Sequence, residues 1–197
     1  MREQIQSDFD KIIKTLKISK EEIQIKKDIG ELSFYNDYSA TNKVDTSIFI
    51  DGLEHNKIIF INGRIEKIDF SYEDKNKIEI KDEIEKNISF DYENSLIDLN
   101  SAFINKVFKI IVNKNYSLKK PLIIYHSTND KVKSTNINLR LDFELGENSC
   151  LKLIDYFANN TTKNFINIFY NFNLIFILII KIYFFYSSIY KNNFIML

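Results

Sequence analysis

Two histidines, one cysteine and a few charged side chains are the residues of this sequence whose chemistry could support catalysis or metal binding. His55 and His126 are far apart, and neither has a second ligand at the short spacings typical of metal sites. We therefore interpret both as structural or surface residues. Cys150 follows a predicted turn, and the nearby Glu147 disfavours a thiolate, so a packed side chain is favoured over a reactive or sulfur-accepting thiol.

The single cysteine excludes an intrachain disulfide and a four-cysteine zinc or iron–sulfur site within one chain. The sequence contains neither a phosphate-binding P-loop nor a Ser–His–Asp order typical of hydrolases. We therefore assign no catalytic, cofactor-binding or metal-binding residue and no bound cofactor. The chain is predicted not to be an enzyme.

Charged residues offer one alternative interpretation. Arg140, Asp142 and Glu144 alternate with apolar residues, so they share one face of a predicted strand. A β-helix carbohydrate-active enzyme needs acids and an arginine on one face, but any alternating strand produces such a row, so we rank this function low. The remaining cations are interpreted as surface features, with Arg64 paired to a carboxylate and a solvated basic strip of Lys114, Lys119 and Lys120.

The elements that position these residues are mostly strands. From Val107 onward apolar residues recur at every second position, which predicts strands at 107–112, 121–126, 137–145, 151–157 and 165–172. In the clearest of them, 137–145, we expect one buried face and one exposed face. Short, evenly spaced strands are typical of a sandwich, a barrel or a β-helix, and periodicity alone does not choose among these.

The first part of the chain predicts a mixed α+β region. Phe9, Ile12, Ile13 and Leu16 form the apolar stripe of an N-terminal helix. Asn-Gly at 62–63 predicts a hairpin within residues 57–70, because both residues tolerate positive φ. A short helix is predicted at 94–103, with Ser95 as its N-cap. The predicted regions are therefore an α+β part at 1–94, a β core at 95–172 and an apolar tail at 173–197.

Charge is balanced overall but unevenly distributed. The chain has 27 basic and 27 acidic residues, which gives no attraction to nucleic acid. No acidic residue follows Asp155, so the character of the chain changes there. The absence of an N-terminal apolar signal predicts a cytoplasmic location.

Four segments together form a recognisable pattern: IFINGR at 59–64, DLNSAF at 98–103, FKIIVNKNYSLKKPL at 108–122 and LGENSCL at 145–151. They resemble the SufB/SufD family of the SUF iron–sulfur cluster assembly system. Residues 59–64 (IFINGR) are similar to the family's VFVNGR hairpin. Residues 98–103 (DLNSAF) are similar to its ALNAAF helix, and residues 108–122 (FKIIVNKNYSLKKPL) resemble its I-x-V-P-K-G-V-x-L-E-K-P-I strand–turn–strand. Residues 145–151 (LGENSCL) resemble its EEGSxAxL turn. The order and gaps agree across residues 57–172, and the hairpin favours the SufD branch.

The sequence departs from the family pattern at several positions. Asn113 stands where the family usually has proline, and Asn115 where it usually has glycine. Asparagine tolerates the left-handed conformation, so we expect the turn to be retained. The family's N-terminal W-[RK]-[YF]-[ST]-D-L segment is represented only by residues 7–9, and the chain contains no tryptophan.

The resemblance implies a partial right-handed parallel β-helix and a scaffold role in the SufBCD complex, with SufB and the ATPase SufC as partner subunits; a homodimer is an open alternative. Family members are longer than this chain, so we expect a truncated copy that need not retain the function. The family's cluster-binding positions lie late in its chains and have no counterpart here. No such residue is therefore carried over.

The tail suggests a second function. Residues 174–180 (LIFILII) are an apolar run that Lys181 interrupts, and about 20 apolar residues are needed to span a bilayer. The alternative hypothesis is a tail-anchored membrane protein with a soluble β-rich domain. We favour loss of the reading frame near Phe172 as the origin of the tail, which would leave a sticky, aggregation-prone segment.

Overall fold

The described part of the chain consists almost entirely of β-strands. The structure is a computed structural model, and it describes residues 33–34, 49–83, 97, 100, 101, 103, 104, 106–129, 132, 135–158, 164–174, 180–186 and 195–196. Its strands are β1 (Ser33–Phe34), β2 (Asn56–Ile61), β3 (Arg64–Asp69), β4 (Ile78–Glu83), β5 (Val107–Val112), β6 (Leu122–Ser127), β7 (Thr135–Leu145), β8 (Leu151–Phe157), β9 (Phe165–Leu174), β10 (Ile180–Tyr186) and β11 (Ile195–Met196).

These strands form two mixed sheets. Sheet A has the order β11-β9-β7-β5-β4, with β1 also paired to β7, and sheet B has the order β10-β8-β6-β2-β3. From β5 to β11, consecutive strands alternate between the two sheets, and neighbours within each sheet are parallel. Antiparallel strands β3 and β4 lie at one edge of each sheet. The prediction of a mainly β fold is therefore confirmed.

Successive coils of the chain repeat at nearly constant spacing. Arg140 in β7 pairs with Val107 in β5 and with Phe169 in β9. Side chains at equivalent positions are hydrogen-bonded across 33 residues (Asn148 to Asn115) and across 29 residues (Asn167 to Asn138). One coil therefore contains about 30 residues and contributes one strand to each sheet.

The core lies between the two sheets and is filled by alternate residues of facing strands. Apolar inward side chains have relative exposures of 8% or less. Among them are Phe60, Ile110, Leu122, Phe143 and Ile168. Residues from β2 and from β5–β9 belong to this one cluster, so the hairpin and the later strands share a single core. Burial of these side chains is the main stabilising contribution to the stack.

Most of the elements predicted from the sequence are present in the structure. All five strands predicted after Val107 are present, and β2 and β3 form the predicted hairpin, with Asn62 at φ 52° and Gly63 at φ 75°. Residues 97, 100, 101 and 103 are helical, inside the predicted helix at 94–103. The predicted N-terminal helix lies outside the described residues.

One prediction about β7 was only half correct. The strand was expected to have one exposed face, yet Asn138 on that face is only 4% exposed, and Asn136, just before the predicted bounds, is 1% exposed. Asn100, from the helical segment, donates its side-chain amide to the carbonyls of Leu139 and Asn167, each at 2.9 Å. The helical segment therefore covers the first half of the strand, and its outward residues become partly exposed only from Arg140 onward.

The apolar tail contributes to the sheets where it is described. Ile180–Tyr186 forms β10, which pairs in parallel with β8, and Ile195–Met196 pairs with β9. Within the described part of the chain, no helix is long and apolar enough to cross a bilayer. These segments therefore extend the alternation of strands beyond Phe172.

Two turns stack directly on each other and connect the sheets. In the first turn (residues 113–117) Asn115 has φ 55°, and in the second turn (residues 146–150) Asn148 has φ 56°. The expectation that asparagine supplies the left-handed conformation at Asn115 is thus confirmed. The turns are joined by backbone hydrogen bonds, including Asn115 N–H to Glu147 O at 2.7 Å and Gly146 N–H to Val112 O at 2.9 Å.

Gly146 is where the two turns come closest. A Cβ added there would lie 2.4 Å from the Lys114 nitrogen and 2.8 Å from its Cα. These are backbone atoms that cannot move away without displacing the whole first turn. Only glycine therefore fits at this position.

We expect Gly146→Ala to lower the free energy of unfolding by at least about 1–3 kcal/mol, because the added methyl group overpacks the turn stack. Asn148→Gly is the matched control. Glycine adopts the same left-handed φ without strain, and the variant loses only the exposed side-chain hydrogen bond to Asn115, so it should unfold within about 1 kcal/mol of the unsubstituted chain. Urea unfolding followed by circular dichroism measures both. Equal midpoints for the Gly146→Ala variant and the unsubstituted chain would contradict the close contact.

Candidate functional site

A polar cluster inside the core contains the most unusual side-chain arrangement of the described residues. His126 from β6, Asp155 from β8 and Tyr170 from β9 are 3%, 0% and 4% exposed. The Tyr170 hydroxyl donates to Asp155 Oδ2 at 2.6 Å, and His126 Nε2 lies 2.7 Å from Asp155 Oδ1. The angles at the imidazole and the carboxyl group do not meet those of a hydrogen bond despite this short distance.

Aromatic rings hold the imidazole in place. Strand pairing sets Phe60, His126 and Phe157 side by side across β2, β6 and β8. The His126 ring stacks on Phe60 at a centroid distance of 5.5 Å and on Phe157 at 4.8 Å. The ring therefore has little freedom to rotate, and its contact with Asp155 follows from the strand register.

Burial limits what this cluster can do chemically. A histidine, a carboxylate and a tyrosine could transfer protons, but a substrate must reach them. With exposures of 0–4%, these three side chains lie inside the packed interior rather than at an open site. We interpret the cluster as a structural pair that compensates a buried carboxylate, which agrees with the structural interpretation of His126.

The cluster predicts a specific pattern of stabilities. Asp155→Asn should lower the free energy of unfolding by about 3–5 kcal/mol, because the buried His126 and Tyr170 side chains lose the carboxyl group that both contact. The triple replacement His126→Phe, Asp155→Leu and Tyr170→Phe should recover most of this loss, since no polar group remains unpaired. Glu79→Gln, at an exposed ion pair, is the control and should change stability by less than about 1 kcal/mol. A triple variant with a lower free energy of unfolding than Asp155→Asn would contradict the pairing role.

A second cluster fastens the segment after the hairpin to the first turn. Glu73 Oε1 accepts hydrogen bonds from the Asn56 side chain at 2.6 Å and from the Lys120 backbone N–H at 3.1 Å. Its Oε2 accepts from the Tyr116 hydroxyl at 2.7 Å and from the Lys119 backbone N–H at 3.1 Å. Four donors therefore converge on one carboxylate.

These contacts change the acidity of Glu73. Burial of the carboxyl opposes ionisation, but the hydrogen bonds from Tyr116, Asn56 and the backbone of Lys119 and Lys120 outweigh it, so the pKa of Glu73 is lowered. The same carboxylate is ionised at neutral pH. It acts as a fixed acceptor that holds the Ser71–Lys77 region against the turn.

Glu73 should therefore make stability pH-dependent. Because its pKa is lowered in the folded chain, its contribution is present above about pH 4.3, the usual value for glutamate, and is lost as the pH falls through the folded pKa. Glu73→Gln should lower the free energy of unfolding by about 1–2 kcal/mol at pH 7, a range reduced for partial exposure. Urea unfolding at pH 7 and pH 3.5 measures this. The difference in free energy of unfolding between Glu73→Gln and the unsubstituted chain should be smaller at pH 3.5 than at pH 7. An equal difference at both pH values would contradict the stabilising role of the ionised Glu73.

The charged row on sheet A is largely paired. Arg140 Nε donates to Asp142 Oδ1 at 3.0 Å, and Lys109 Nζ lies 3.1 Å from a Glu144 oxygen. The hydrogen bond with Glu144 raises the pKa of Lys109. Arg140, Asp142 and Glu144 do share a face, as expected, but their pairing favours the interpretation of a partly solvated surface over a catalytic one.

The other residues singled out in the sequence are dispersed. Lys119 and Lys120 pair with Asp74 and Glu54 at 2.6 and 2.5 Å, so they do not form a free basic strip. Cys150 is half-buried at the bridge between the two turns. Lys114 borders a hollow of about 330 Å³ beside the second turn, which Glu144, Gly146 and Asn173 also line.

His55 is packed on the outer surface of sheet B rather than in the core. It is 4% exposed, and its Nε2 lies 2.7 Å from the Tyr125 hydroxyl. It is therefore a structural residue in this arrangement, and it lies on the opposite face of sheet B from the His126 cluster. The two histidines are not brought together.

Sequence reasoning missed Asp155, Tyr170 and Glu73. The first two had a readable signal, because Asp155 follows Leu151 and Leu153 at alternate positions and Tyr170 follows Ile166 and Ile168 in the same way. A polar residue at an inward position indicates a buried polar contact. Glu73 had no such signal, since its partners are distant in sequence.

Groups of three or more metal-ligating side chains that could hold an ion are not found among the residues described by the structure. No protein-family model and no curated protein matches the chain. Function must therefore be argued from the arrangement of the described residues and from the resemblance in the sequence.

Proposed function

We propose that this chain is a non-catalytic scaffold module of the SUF iron–sulfur cluster assembly system, related to the SufD branch of the SufB/SufD family. The observation that carries the proposal is the stacking of the first and second turns. Both turns fall within the segments that resemble the family. Four backbone hydrogen bonds join them and the adjoining residues: Asn115 N–H to Glu147 O, Gly146 N–H to Val112 O, Cys150 N–H to Tyr116 O and Leu118 N–H to Cys150 O.

The pairing of strands also supports a proposal about the fold, namely that it is a right-handed parallel β-helix. Strands alternate between the two sheets, and partners in neighbouring coils are separated by about 30 residues. A chain that winds through two sheets in this way generates one coil after another of a solenoid, each in contact only with its neighbours. The family resemblance implies the same architecture.

The hairpin at residues 59–64 also supports the family resemblance. The segment IFINGR spans the end of β2, the turn and the start of β3, and Asn62 also accepts a hydrogen bond from the Asn129 backbone N–H at 3.1 Å. Strand β2 pairs in parallel with β6, so the hairpin closes the stack at this side of sheet B. With the hairpin at one edge of sheet B, the opposite edge, at β10, would be left for contact with a partner subunit.

The surfaces fit a scaffold better than an enzyme. The charged side chains of the row on sheet A are paired, and the His126 cluster is enclosed in the core. A scaffold acts by presenting a rigid surface to its partners, and a stack of hydrogen-bonded coils supplies one.

Co-expression with SufB and SufC tests the proposal. The tagged 197-residue chain should be recovered with both subunits as a stoichiometric complex in size-exclusion chromatography. Glu79→Gln, which alters an exposed ion pair away from the turns, is the control for general loss of charge and should leave recovery unchanged. A folded chain that elutes alone while SufB and SufC assemble without it would contradict the scaffold role.

A further inference from the structure

The outer face of sheet B is covered by a short segment that precedes β2. We call residues 49–55 the strap. Phe49 and Ile50 pack on a cluster whose members are at most 8% exposed; it consists of Ile59, Ile61, Ile123 and Tyr125. The Phe49 ring meets the Tyr125 ring edge-on at a centroid distance of 5.2 Å. The strap therefore keeps an apolar part of sheet B away from water.

Polar contacts of one histidine fasten the strap. His55, at its end, has Nδ1 2.5 Å from the Leu53 carbonyl oxygen and Nε2 2.7 Å from the Tyr125 hydroxyl. The Ile50 backbone N–H also donates to the Tyr125 hydroxyl at 3.2 Å. Both ends of the strap thus meet at a single phenol oxygen on β6.

These contacts define the protonation state that fits the closed strap. A carbonyl oxygen can only accept, so the proton on Nδ1 donates to Leu53. With that proton in place, Nε2 of a neutral ring is an acceptor, and the Tyr125 hydroxyl donates to it. Every polar atom of the ring is then satisfied. Burial also raises the pKa of Tyr125, so its hydroxyl keeps the proton that it donates.

A second proton on the ring would disrupt this arrangement. Nε2–H would then donate to the Tyr125 oxygen, which could accept only by turning its own proton away from His55, so the buried hydroxyl proton would lose its acceptor. The added charge would also be buried at a side chain that is only 4% exposed. Protonation of His55 and closure of the strap therefore oppose each other.

Charged and titratable groups of the neighbouring strands lie around His55. Burial is the largest effect and lowers the pKa of His55; the hydrogen bond to Leu53 opposes it, Lys57 of β2 adds to it, and Asp69 of β3 opposes it. Tyr125 of β6 is in direct contact, and Tyr156 of β8 packs against Tyr125 at 5.4 Å. Lys57 also lies over the Phe49 ring at 5.1 Å, which places a cation at the strap itself.

We propose that the strap is a proton-sensitive latch, closed over sheet B while His55 is neutral and released when the ring takes up a second proton under mildly acidic conditions. Release exposes Tyr125 and its apolar neighbours. The step needs only one proton from solvent, which binds at Nε2, and no covalent bond changes. This latch does not depend on the proposed scaffold function.

The sign of the pH dependence follows from linkage. In the open strap His55 is solvated and binds its proton near the ordinary value of about pH 6.5. Because the closed strap binds that proton less readily, the closed state is fully favoured above about pH 6.5 and loses population as the pH falls below it. One pH unit changes the equilibrium by at most about tenfold.

Hydrogen–deuterium exchange of the full 197-residue chain, corrected for the intrinsic rate at each pH, measures the latch. Between pH 7.5 and pH 5.5 the strap amides, Ile50 above all, should lose protection by about tenfold, while the amides of β6 and β8 keep theirs. In His55→Gln the side-chain oxygen can still accept from Tyr125 but does not titrate. Strap protection in that variant should be independent of pH.

Two further variants distinguish release of the strap from a general loss of structure. Leu53→Ala keeps the carbonyl acceptor and changes only a side chain that is 40% exposed, so it should retain the pH dependence. Tyr125→Phe removes the shared hydroxyl and should lower strap protection at both pH values. The proposal is overturned if strap protection in the unsubstituted chain is equal at pH 7.5 and 5.5, or if β6 and β8 lose protection together with the strap. These two outcomes decide it even where a variant does not fold.

Discussion

The close stacking of the second turn on the first is the constraint on which the rest of the described structure depends. Backbone groups of the two turns hydrogen-bond directly, and Gly146 has no room for a side-chain carbon next to Lys114. This contact fixes the offset between β5 and β7 and between β6 and β8. Since side chains alternate along a strand, a shift of one residue would turn the inward face of a whole strand outward. The packing of the core therefore follows from the turns.

Register in turn explains the polar cluster in the interior. Asp155, His126 and Tyr170 come from three strands in both sheets, and they meet only when each strand is correctly aligned. An isolated buried carboxylate is costly, so misaligned arrangements that separate it from its partners are disfavoured. The cluster adds specificity for one register, whereas the apolar side chains around it would tolerate several. The aromatic stack of Phe60, His126 and Phe157 is a second consequence of the same alignment.

The two faces of sheet B differ in a way that bears on function. Its inner face belongs to the permanent core, while its outer face is covered by the strap through a few contacts at His55 and Tyr125. Local segments held by few contacts open at lower free energy than the sheets beneath them. A stack of hydrogen-bonded strands is rigid, so a segment of this kind is where the chain can respond to its surroundings. The paired charges on sheet A provide no comparable response.

Local sequence patterns were sufficient to predict the hairpin, the strands β5 to β9 and the left-handed conformation at Asn62 and Asn115. They did not predict β1, β10 and β11 or the positive φ of Asn76 and Asn148. Two-residue alternation and Asn-Gly chemistry are local properties, and they are sufficient to place β5 to β9, β2 and β3 and to assign positive φ to Asn62 and Asn115. Tertiary structure alone decided which strands are neighbours and which faces are buried. Asn136 and Asn138 look exposed by alternation, yet both are buried, and Asn100 is hydrogen-bonded to carbonyls of β7 and β9 in the same part of sheet A. Alternation places Asp155 and Tyr170 on inward faces, but it does not identify their partners, and Glu73 has no local signal, because these contacts join residues far apart in the chain.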